Sequence, residues 1–318
     1  MNFYLSQPKA DRSGGKLEIF VLLKKGIVNM NKLIKNNFIP LDKSWIIRMG
    51  ILDIIHGKKD INNFLAKQKN LSDDLLALKR VTTDWNKRKA IDVGESGTLF
   101  RFLQFVSWKQ KLNKKFIIKG TLAKRKITDN PKIINLSQSQ LLKLDNQTSQ
   151  WASVSALCGD KKRLKNAPYK LKLTYKAIEH WNKQRKKGKK WIPRYDETIL
   201  AQAETYLKLL NRKKVNFSPR QAEDYCFAFT FGYITKKEGE KRWPSLKGHE
   251  SNRIKEMSEM LDSAKKRKAV TSKDHRVVQA IAMWGKINNK QAKILYPNAV
   301  KKSWPQFWDF LKFVQKLN

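Results

Sequence analysis

The segment AIDVGESGTLFRFLQFVSWKQK at residues 90–111 combines a short apolar run, a glycine-rich turn and an amphipathic stretch of helical length. Glycine suits a tight turn between a strand and a helix because it adopts backbone angles that other residues avoid. A second apolar run, FIIKG at 116–120, predicts another short strand. A strand, a turn, a helix and a further strand in this order are typical of α/β or α+β proteins.

Helical periodicity continues on both sides of this segment. Apolar residues at positions 46, 47, 51, 54 and 55 predict a helix over 44–57, and a similar spacing predicts one over 72–85. An apolar run within 16–36 predicts an early strand. Further helices are expected at 147–159 after a small-residue loop, and over 168–187, 197–211, 223–234, 249–266, 275–285 and the aromatic C-terminal segment. Because strands and helices alternate, we predict an α/β (α+β) fold.

The composition excludes several classes of protein. The chain has 318 residues, of which 41% are apolar, so it can bury a core and is not expected to be disordered throughout. It contains 68 Lys and Arg against 27 Asp and Glu, a net charge of +41. Such a charge attracts polyanions and anionic small molecules but does not determine the fold.

The cysteines and histidines are too scattered for a structural metal site. The chain has two cysteines, Cys158 and Cys226, and four histidines, at positions 56, 180, 249 and 275. A structural zinc site needs four clustered nitrogen or sulfur ligands, so we expect no metal, and no cofactor is implied. No apolar run reaches the roughly 18–20 residues of a membrane span, and residues 1–15 lack the apolar stretch of a signal peptide. We therefore expect a cytoplasmic protein with no membrane partner.

Five polar clusters stand at or near predicted helix starts. They are Lys43-Ser44 with Arg48, Gly94 through Thr98 with Arg101, Thr148-Ser149-Gln150, His249-Glu250 with Arg253, and Asp274-His275-Arg276. The free N–H groups and partial positive charge of a helix N-terminus attract phosphate, and Arg adds a planar fork of donors. Ser, Thr, Asp and Asn before a helix also serve as simple caps. Several such clusters in one chain favour a ligand with more than one anionic group.

In order and spacing these clusters resemble the motifs of the 5-enolpyruvylshikimate-3-phosphate synthases (3-phosphoshikimate 1-carboxyvinyltransferases), a family of enolpyruvyl transferases. KSWIIR at 43–48 is similar to the family's K-S-x-x-x-R, SDD at 72–74 to its S-D-D, and GESGTLFRFL at 94–103 to its G-N-[SA]-G-T-x-x-R-F-L. Seven later segments are similar to further family motifs: IKG with KR at 118–125, TSQ at 148–150, NAPY at 166–169, EDY at 223–225, HESNRI at 249–254, DHR at 274–276 and KSWP at 302–305. The resemblance spans residues 39–310 in the family's order.

The resemblance implies a reaction and a fold. Members of the family transfer the enolpyruvyl group of phosphoenolpyruvate to the 5-hydroxyl of shikimate 3-phosphate, release phosphate and need no metal. Their two globular halves consist of repeated βαβαββ units, with helix N-termini directed at the cleft between the halves. Applied to this chain, residues 1–40 and 192–318 would form the first, discontinuous half, and residues 41–191 the second. We expect a monomer whose partners are the two small-molecule substrates.

The same resemblance implies roles for individual residues. Asp224 would take the proton of the 5-hydroxyl, Glu250 would transfer a proton at the methylene carbon of phosphoenolpyruvate, and Lys43 would protonate or stabilise the departing phosphate. The other implied substrate-binding residues are Ser44, Arg48, Gly97, Thr98, Arg101, Arg125, Thr148, Ser149, Gln150, Tyr169, His249, Arg253, His275, Arg276 and Lys302. Many cations in a closed cleft would stabilise the charge that develops during the reaction.

The chain departs from the family pattern at several places. Glu95 stands where the family has Asn, and His249 stands where it has Lys. The family's basic residue after Gly120 is placed on Lys124 or Arg125, and the chain is shorter than typical members. A carboxylate at position 95 would oppose an anionic substrate unless it turns away or pairs with a lysine.

Two alternatives stay open. The related UDP-N-acetylglucosamine enolpyruvyl transferases have a mobile loop with a reactive cysteine; neither Cys158 nor Cys226 is placed in such a loop, and Ser44 suits the shikimate branch better. The other alternative is a non-catalytic homologue that binds polyanions or nucleic acid through its charge, with the lysine-rich segments 109–126 and 183–191 as binding surfaces. No known nucleic-acid-binding motif occurs in the sequence, so a nucleic-acid partner is not favoured.

Overall fold

Helices packed on one another, rather than helices packed on a sheet, make up most of this protein. The computed structural model describes residues 20–23, 26–125, 127–144, 148–159, 167–187, 193–247 and 252–316. Helices account for 63% of the structure and strands for 5%. The predicted α/β (α+β) class and the implied two-domain fold of repeated βαβαββ units are therefore wrong for this chain.

The strands of the described residues form two separate pairs. β1 (Phe20–Leu23) and β2 (Gly26–Asn29) are antiparallel. β3 (Ala90–Gly94) and β4 (Lys115–Ile118) are parallel, with the Cα of Ala90 opposite that of Lys115. A βαβαββ unit needs its strands side by side in one sheet, and two isolated pairs of such short strands do not provide that layer.

Fifteen α-helices occur in the described residues, and most lie where the periodicity of the sequence predicts one. They are α1 (Met30–Lys35), α2 (Lys43–Ile55), α3 (Asp60–Ala66), α4 (Asp73–Asp84), α5 (Gly97–Lys109), α6 (Gly120–Ala123), α7 (Gln138–Leu144), α8 (Gln150–Gly159), α9 (Lys172–Lys187), α10 (Glu197–Leu210), α11 (Tyr225–Thr230), α12 (Lys236–Arg242), α13 (Arg253–Lys265), α14 (His275–Ile287) and α15 (Phe307–Gln315). Short 3-10 helices span Pro131–Asn135, Tyr169–Leu171, Ala222–Asp224, Pro244–Lys247 and Pro297–Lys302. The helix predicted over 223–234 is shorter than expected, because the chain turns at Gly232 with a φ of +75°.

Polar side chains before several helices determine where those helices begin. The carboxylate of Asp42 accepts the Trp45 N–H at 3.0 Å at the start of α2. Asp196 caps α10 in the same way, and the side chain of Asn252 caps α13. Such a cap satisfies one of the N–H groups that has no partner within the helix and contributes about 1 kcal/mol.

The buried apolar side chains form three clusters. The first contains residues between Trp45 and Trp181 and joins α2, α4, α5, α8 and α9. The second joins α1 and α10 to α14 and α15, and the third joins α11, α13 and α14. Residues before position 40 thus share a core with residues after position 198. The division of the chain into halves at residues 40/41 and 191/192 stays a prediction.

The chain passes between the first core and the other two at two neighbouring places. Leu41 and Tyr195 form an isolated antiparallel bridge there. The Asp42 N–H donates to the Arg194 carbonyl oxygen at 2.8 Å, and Arg194 Nε lies 3.1 Å from the Asp42 carboxylate. Burial raises the pKa of Asp42 to about 6, although its cap hydrogen bond and Arg194 favour the charged form. The segment around Asp42, which enters the first core, is therefore bonded to the segment around Arg194, which leaves it.

None of the helices in the described ranges has both the length and the apolar character that crossing a membrane requires.

Candidate functional site

His275, the first residue of α14, is buried within the electrostatic reach of four cationic side chains. It is 6% exposed. Burial, followed by the charges of Arg276, Arg253, Lys43 and Lys302, lowers the pKa of His275 well below its ordinary value of 6.5. The imidazole is therefore neutral at pH 7, and we call these five residues the His275 cluster. The structure thus brings together predicted site residues from positions more than 250 residues apart in the chain.

Carboxylates hold two of the cations in this cluster. Lys43 Nζ donates to Asp74 Oδ2 at 2.7 Å. Burial alone would raise the pKa of Asp74, but Lys43 lowers it below its ordinary value. Arg253 Nε donates to Asp274 Oδ2 at 2.8 Å. The other oxygen of Asp274 accepts the Arg276 N–H at 2.8 Å and so caps α14.

The guanidinium of Arg276 is buried, and two of its nitrogens lack acceptors. The residue is 5% exposed, and within the described part of the chain Nε and Nη1 have no hydrogen-bond partner. Buried cations normally have acceptors, since burying a charge without them costs several kcal/mol. Arginine also matches the oxygens of phosphate and carboxylate groups better than any other side chain. Arg276 can therefore donate to an anion that enters the cluster.

A second group of predicted site residues meets where α5 and α8 begin. Arg101 Nη1 donates to Gln150 Oε1 at 2.8 Å, and Gln150 Nε2 donates to Thr98 Oγ1 at 2.8 Å. The Gly97 backbone faces two guanidinium groups. A Cβ added at Gly97 would lie 3.3 Å from Arg101 Nη1 and 3.4 Å from Arg125 Nη1. Five residues that the sequence assigned to substrate binding are thus neighbours at one turn.

Glu95, which stands where the family has Asn, lies against the backbone of Gly120. A Cβ added at Gly120 would be 1.8 Å from Glu95 Oε1, and the φ of +53° at Gly120 also favours glycine. Glu95 contributes to the raised pKa of Asp73, after the larger effects of burial and Asp74. The Glu95 carboxylate therefore fills the space in which a side chain at position 120 would lie.

Arg48 lies inside the first core, where α2 meets α9. Its Nε donates to Thr174 Oγ1 at 2.9 Å and its Nη1 to the Ser44 carbonyl oxygen at 2.8 Å. Thr174 in turn donates to Ser153 Oγ at 3.1 Å. Burial lowers the pKa of Arg48 to about 10. Sequence reasoning missed Thr174 and Ser153, because each is a single polar residue in a helix interior with no motif around it.

Asp224, the residue that would act as general base, has three hydrogen bonds within the protein. Its carboxylate accepts from the N–H groups of Arg220 at 2.9 Å and Gln221 at 3.2 Å. Gln202 Nε2 donates to its other oxygen at 3.1 Å. Two residues further on, Cys226 lies within the electrostatic reach of Arg253 and Arg276. Asp224 is thus firmly oriented, and the structure does not place it in the His275 cluster.

The remaining predicted residues are placed as follows. Ser149 is buried, and its hydroxyl donates to the Thr148 carbonyl oxygen at 2.7 Å. Tyr169 is 84% exposed. His249 and Glu250 lie outside the described residues.

A cleft of about 660 Å³ lies between the start of α4 with the β3–α5 turn and the segments that precede and follow α14. Asp74 and Ser96 line it on one side, and Asp274 and Lys302 line it on the other. Lys302 of the His275 cluster lines this cleft directly, and so do Asp74 and Asp274, the carboxylates that pair with Lys43 and Arg253. The cleft is large enough for a small ligand. The cleft also contains Lys273, which adjoins the D-H-R motif but was not singled out from the sequence.

Among the described residues, no group of three or more His, Cys, Asp or Glu side chains is placed to hold a metal ion. In comparisons with known proteins, no family model, no curated protein and no solved structure matches this chain.

Proposed function

We propose that this chain transfers the enolpyruvyl group of phosphoenolpyruvate to the 5-hydroxyl of shikimate 3-phosphate and releases phosphate, in the cytoplasm. The proposal rests on two independent supports. One is the series of ten motifs in the family's order. The other is the His275 cluster, which gathers residues from four of those motifs beside a cleft. The helical fold gives it no support, since the described residues do not form the family's βαβαββ units.

The buried guanidinium of Arg276 is the observation that favours an anionic ligand most directly. Its Nε and Nη1 have no acceptor within the described residues, while Lys43, Arg253 and Lys302 add positive charge nearby. A phosphate or carboxylate group bound there would satisfy these donors and balance the charge. Phosphoenolpyruvate has both groups, so one molecule can occupy the cluster with more than one contact.

The reaction assigns a separate task to each group. The oxygen of the 5-hydroxyl forms a bond to C2 of phosphoenolpyruvate and gives its proton to Asp224, while C3 gains a proton from Glu250. C3 then returns a proton to the Glu250 carboxylate while the bond between C2 and the phosphate oxygen breaks, and phosphate leaves with that electron pair, stabilised by Lys43. Positioned acids and bases of this kind contribute about 10²–10⁴-fold to a rate.

The test is phosphate release from phosphoenolpyruvate in the presence of shikimate 3-phosphate. We expect release by the wild-type chain and its loss in Arg276→Gln and Asp224→Asn. Arg88→Gln, which changes an exposed arginine that neither belongs to the cluster nor lines the cleft, should retain it. If folded wild-type protein releases no phosphate, the proposed transferase activity is wrong. Binding is measured separately, as the rise in Tm that phosphoenolpyruvate causes. A rise that Arg276→Gln abolishes would support the anion site even without turnover.

A polyanion-binding protein is the second candidate, and the outer face of β4 is the observation that favours it. Lys115, Ile117 and Lys119 alternate along the strand and are all exposed, with Ile117 46% exposed. Lysines on one open face could contact successive phosphates of a nucleic acid. Lys119 also pairs with Asp92 at 2.7 Å, which reduces the charge available for that purpose.

A further inference from the structure

A second, larger concavity adjoins the cleft beside the His275 cluster, and Pro297 and Asn298 line both. It has a volume of about 1270 Å³ and is formed by the C-terminal ends of α10 and α14, the segment that follows α14, and α15. Leu209, Leu210, Ile287, Ile294 and Trp308 provide its apolar surface. We call this concavity the α15 groove. Its volume exceeds that of most small-ligand pockets, so an elongated ligand would fit it better than a compact one.

The rim of the α15 groove is positively charged. Arg212, Lys286, Lys290, Lys293 and Lys312 line it, and all five are exposed. Among the described residues that line the groove, none is acidic. The chain as a whole has 68 basic against 27 acidic residues, but that excess does not make every concavity basic. The cleft beside the His275 cluster contains five carboxylates and four cations, so the purely basic rim is a property of the α15 groove itself.

The groove is held open by contacts around its edge. Trp308 Nε1 donates to the Pro297 carbonyl oxygen at 3.0 Å, which fixes the indole across the base of α15. Lys286 Nζ donates to Gln315 Oε1 at 2.9 Å and so links α14 to α15. At the end of α14, a Cβ added at Gly285 would be 2.6 Å from the Lys290 carbonyl oxygen. The chain therefore turns tightly against α14, which places Lys290 and Lys293 beside the apolar surface.

We propose that the α15 groove binds an anionic amphiphile, a small molecule with an aromatic or acyl body and at least one carboxylate, sulfonate or phosphate group. The apolar walls would bury the body, at about 25 cal/mol per Å² removed from water, and the lysines would meet the charge at the rim. The charge complementarity selects anions over neutral molecules of the same shape. This site shares Pro297 and Asn298 with the cleft proposed for phosphoenolpyruvate, but the apolar residues and the lysines that would hold the amphiphile line the α15 groove alone.

The test uses 8-anilinonaphthalene-1-sulfonate as the anionic probe and N-phenyl-1-naphthylamine as its neutral analogue. Fluorescence titration and calorimetry on the full chain should give saturable binding of one sulfonate probe per chain, which an excess of phosphoenolpyruvate does not displace. The double variant Lys290→Glu/Lys293→Glu should weaken the sulfonate probe at least about tenfold, or about 1.4 kcal/mol, with little effect on the neutral analogue. Trp308→Ala should weaken both probes.

Lys67→Glu/Lys87→Glu, at two exposed positions outside the groove, is the matched control for the change of charge. Circular dichroism and Tm confirm that each variant is folded. The proposal is overturned if the groove variant and the control variant weaken the sulfonate probe equally, if many probes bind each chain, or if phosphoenolpyruvate displaces the probe. Displacement would place the probe in the His275 cluster instead.

Discussion

Arg253 and Asp274 form a buried ion pair, with Arg253 Nε 2.8 Å from Asp274 Oδ2, that joins the start of α13 to the start of α14. Their side chains are 9% and 2% exposed. Asp274→Asn would remove the carboxylate charge that faces the buried Arg253 guanidinium. We expect the free energy of unfolding to fall by about 3–5 kcal/mol, measured by urea denaturation.

The exposed pair Lys255–Glu259 on the same helix is the control for this prediction. Its atoms are 3.7 Å apart, and the two side chains are 66% and 55% exposed. Glu259→Gln should therefore cost less than about 1 kcal/mol. Equal losses for Asp274→Asn and Glu259→Gln would show that the buried pair contributes no more than a surface pair.

Stability should decrease as the pH falls from 7.5 to 5.5, because of His275. Its pKa is lowered in the folded protein, so below pH 6.5 the unfolded chain binds a proton that the folded chain does not. The free energy of unfolding then falls by up to about 1.4 kcal/mol per pH unit. Buried carboxyls with raised pKa values, such as Asp42, act in the opposite direction. The measured quantity is therefore the difference in slope between wild type and His275→Gln, whose unfolding should lack this contribution.

Phosphate offers a further check on the same group. An anion bound beside His275 would favour the charged imidazole and raise its pKa, so saturating phosphate should flatten the pH slope of the wild type. An unchanged slope would mean that phosphate does not bind next to this residue.

Gly239 cannot accept a side chain without rearrangement. A Cβ there would lie 2.2 Å from Cε2 of the buried Tyr225 ring, in the contact between α12 and α11. Gly239→Ala should lower the free energy of unfolding by about 1–3 kcal/mol, the usual cost of overpacking. Gly159→Ala is the matched control, since no atom lies within 4 Å of its added Cβ. We expect it to change stability by less than about 0.5 kcal/mol, and thermal unfolding of both variants tests the contrast.

Binding to non-specific duplex DNA separates the two functional candidates. If the chain is a transferase, fluorescence anisotropy should show weak binding at 150 mM salt, with a Kd above about 10⁻⁶ M that rises steeply with salt. Lys115→Gln, at an exposed position that does not line the cleft beside the His275 cluster, should change phosphate release little. Tight binding at 150 mM salt that Lys115→Gln weakens would favour the polyanion candidate instead.

The local elements of this fold could be predicted from the sequence, but the architecture could not. The glycine turn and helix of 90–111 appear as β3 and α5, and the helices predicted over 44–57 and 275–285 appear as α2 and α14. The error was the class. A short apolar run such as 116–120 predicts a strand equally well in a two-stranded pair and in a large sheet. How many other strands it pairs with depends on residues far away in the chain.

The candidate site shows the same division. Motif order identified Lys43, Arg253, Arg276 and Lys302, which the structure places around His275. Sequence could not show that Arg276 is buried without acceptors at two nitrogens, because burial depends on how α14 packs. The groove beside α15 was also missed, since its lysines do not differ from the many others in the chain.

The bridge between Leu41 and Tyr195 has a consequence for how this polypeptide can be taken apart. The segment that builds the first core leaves and returns at adjacent points, so it is an insertion whose two ends nearly touch. A few linking residues should suffice to close the gap if that segment is excised, and the excised piece could be joined head to tail into a circle.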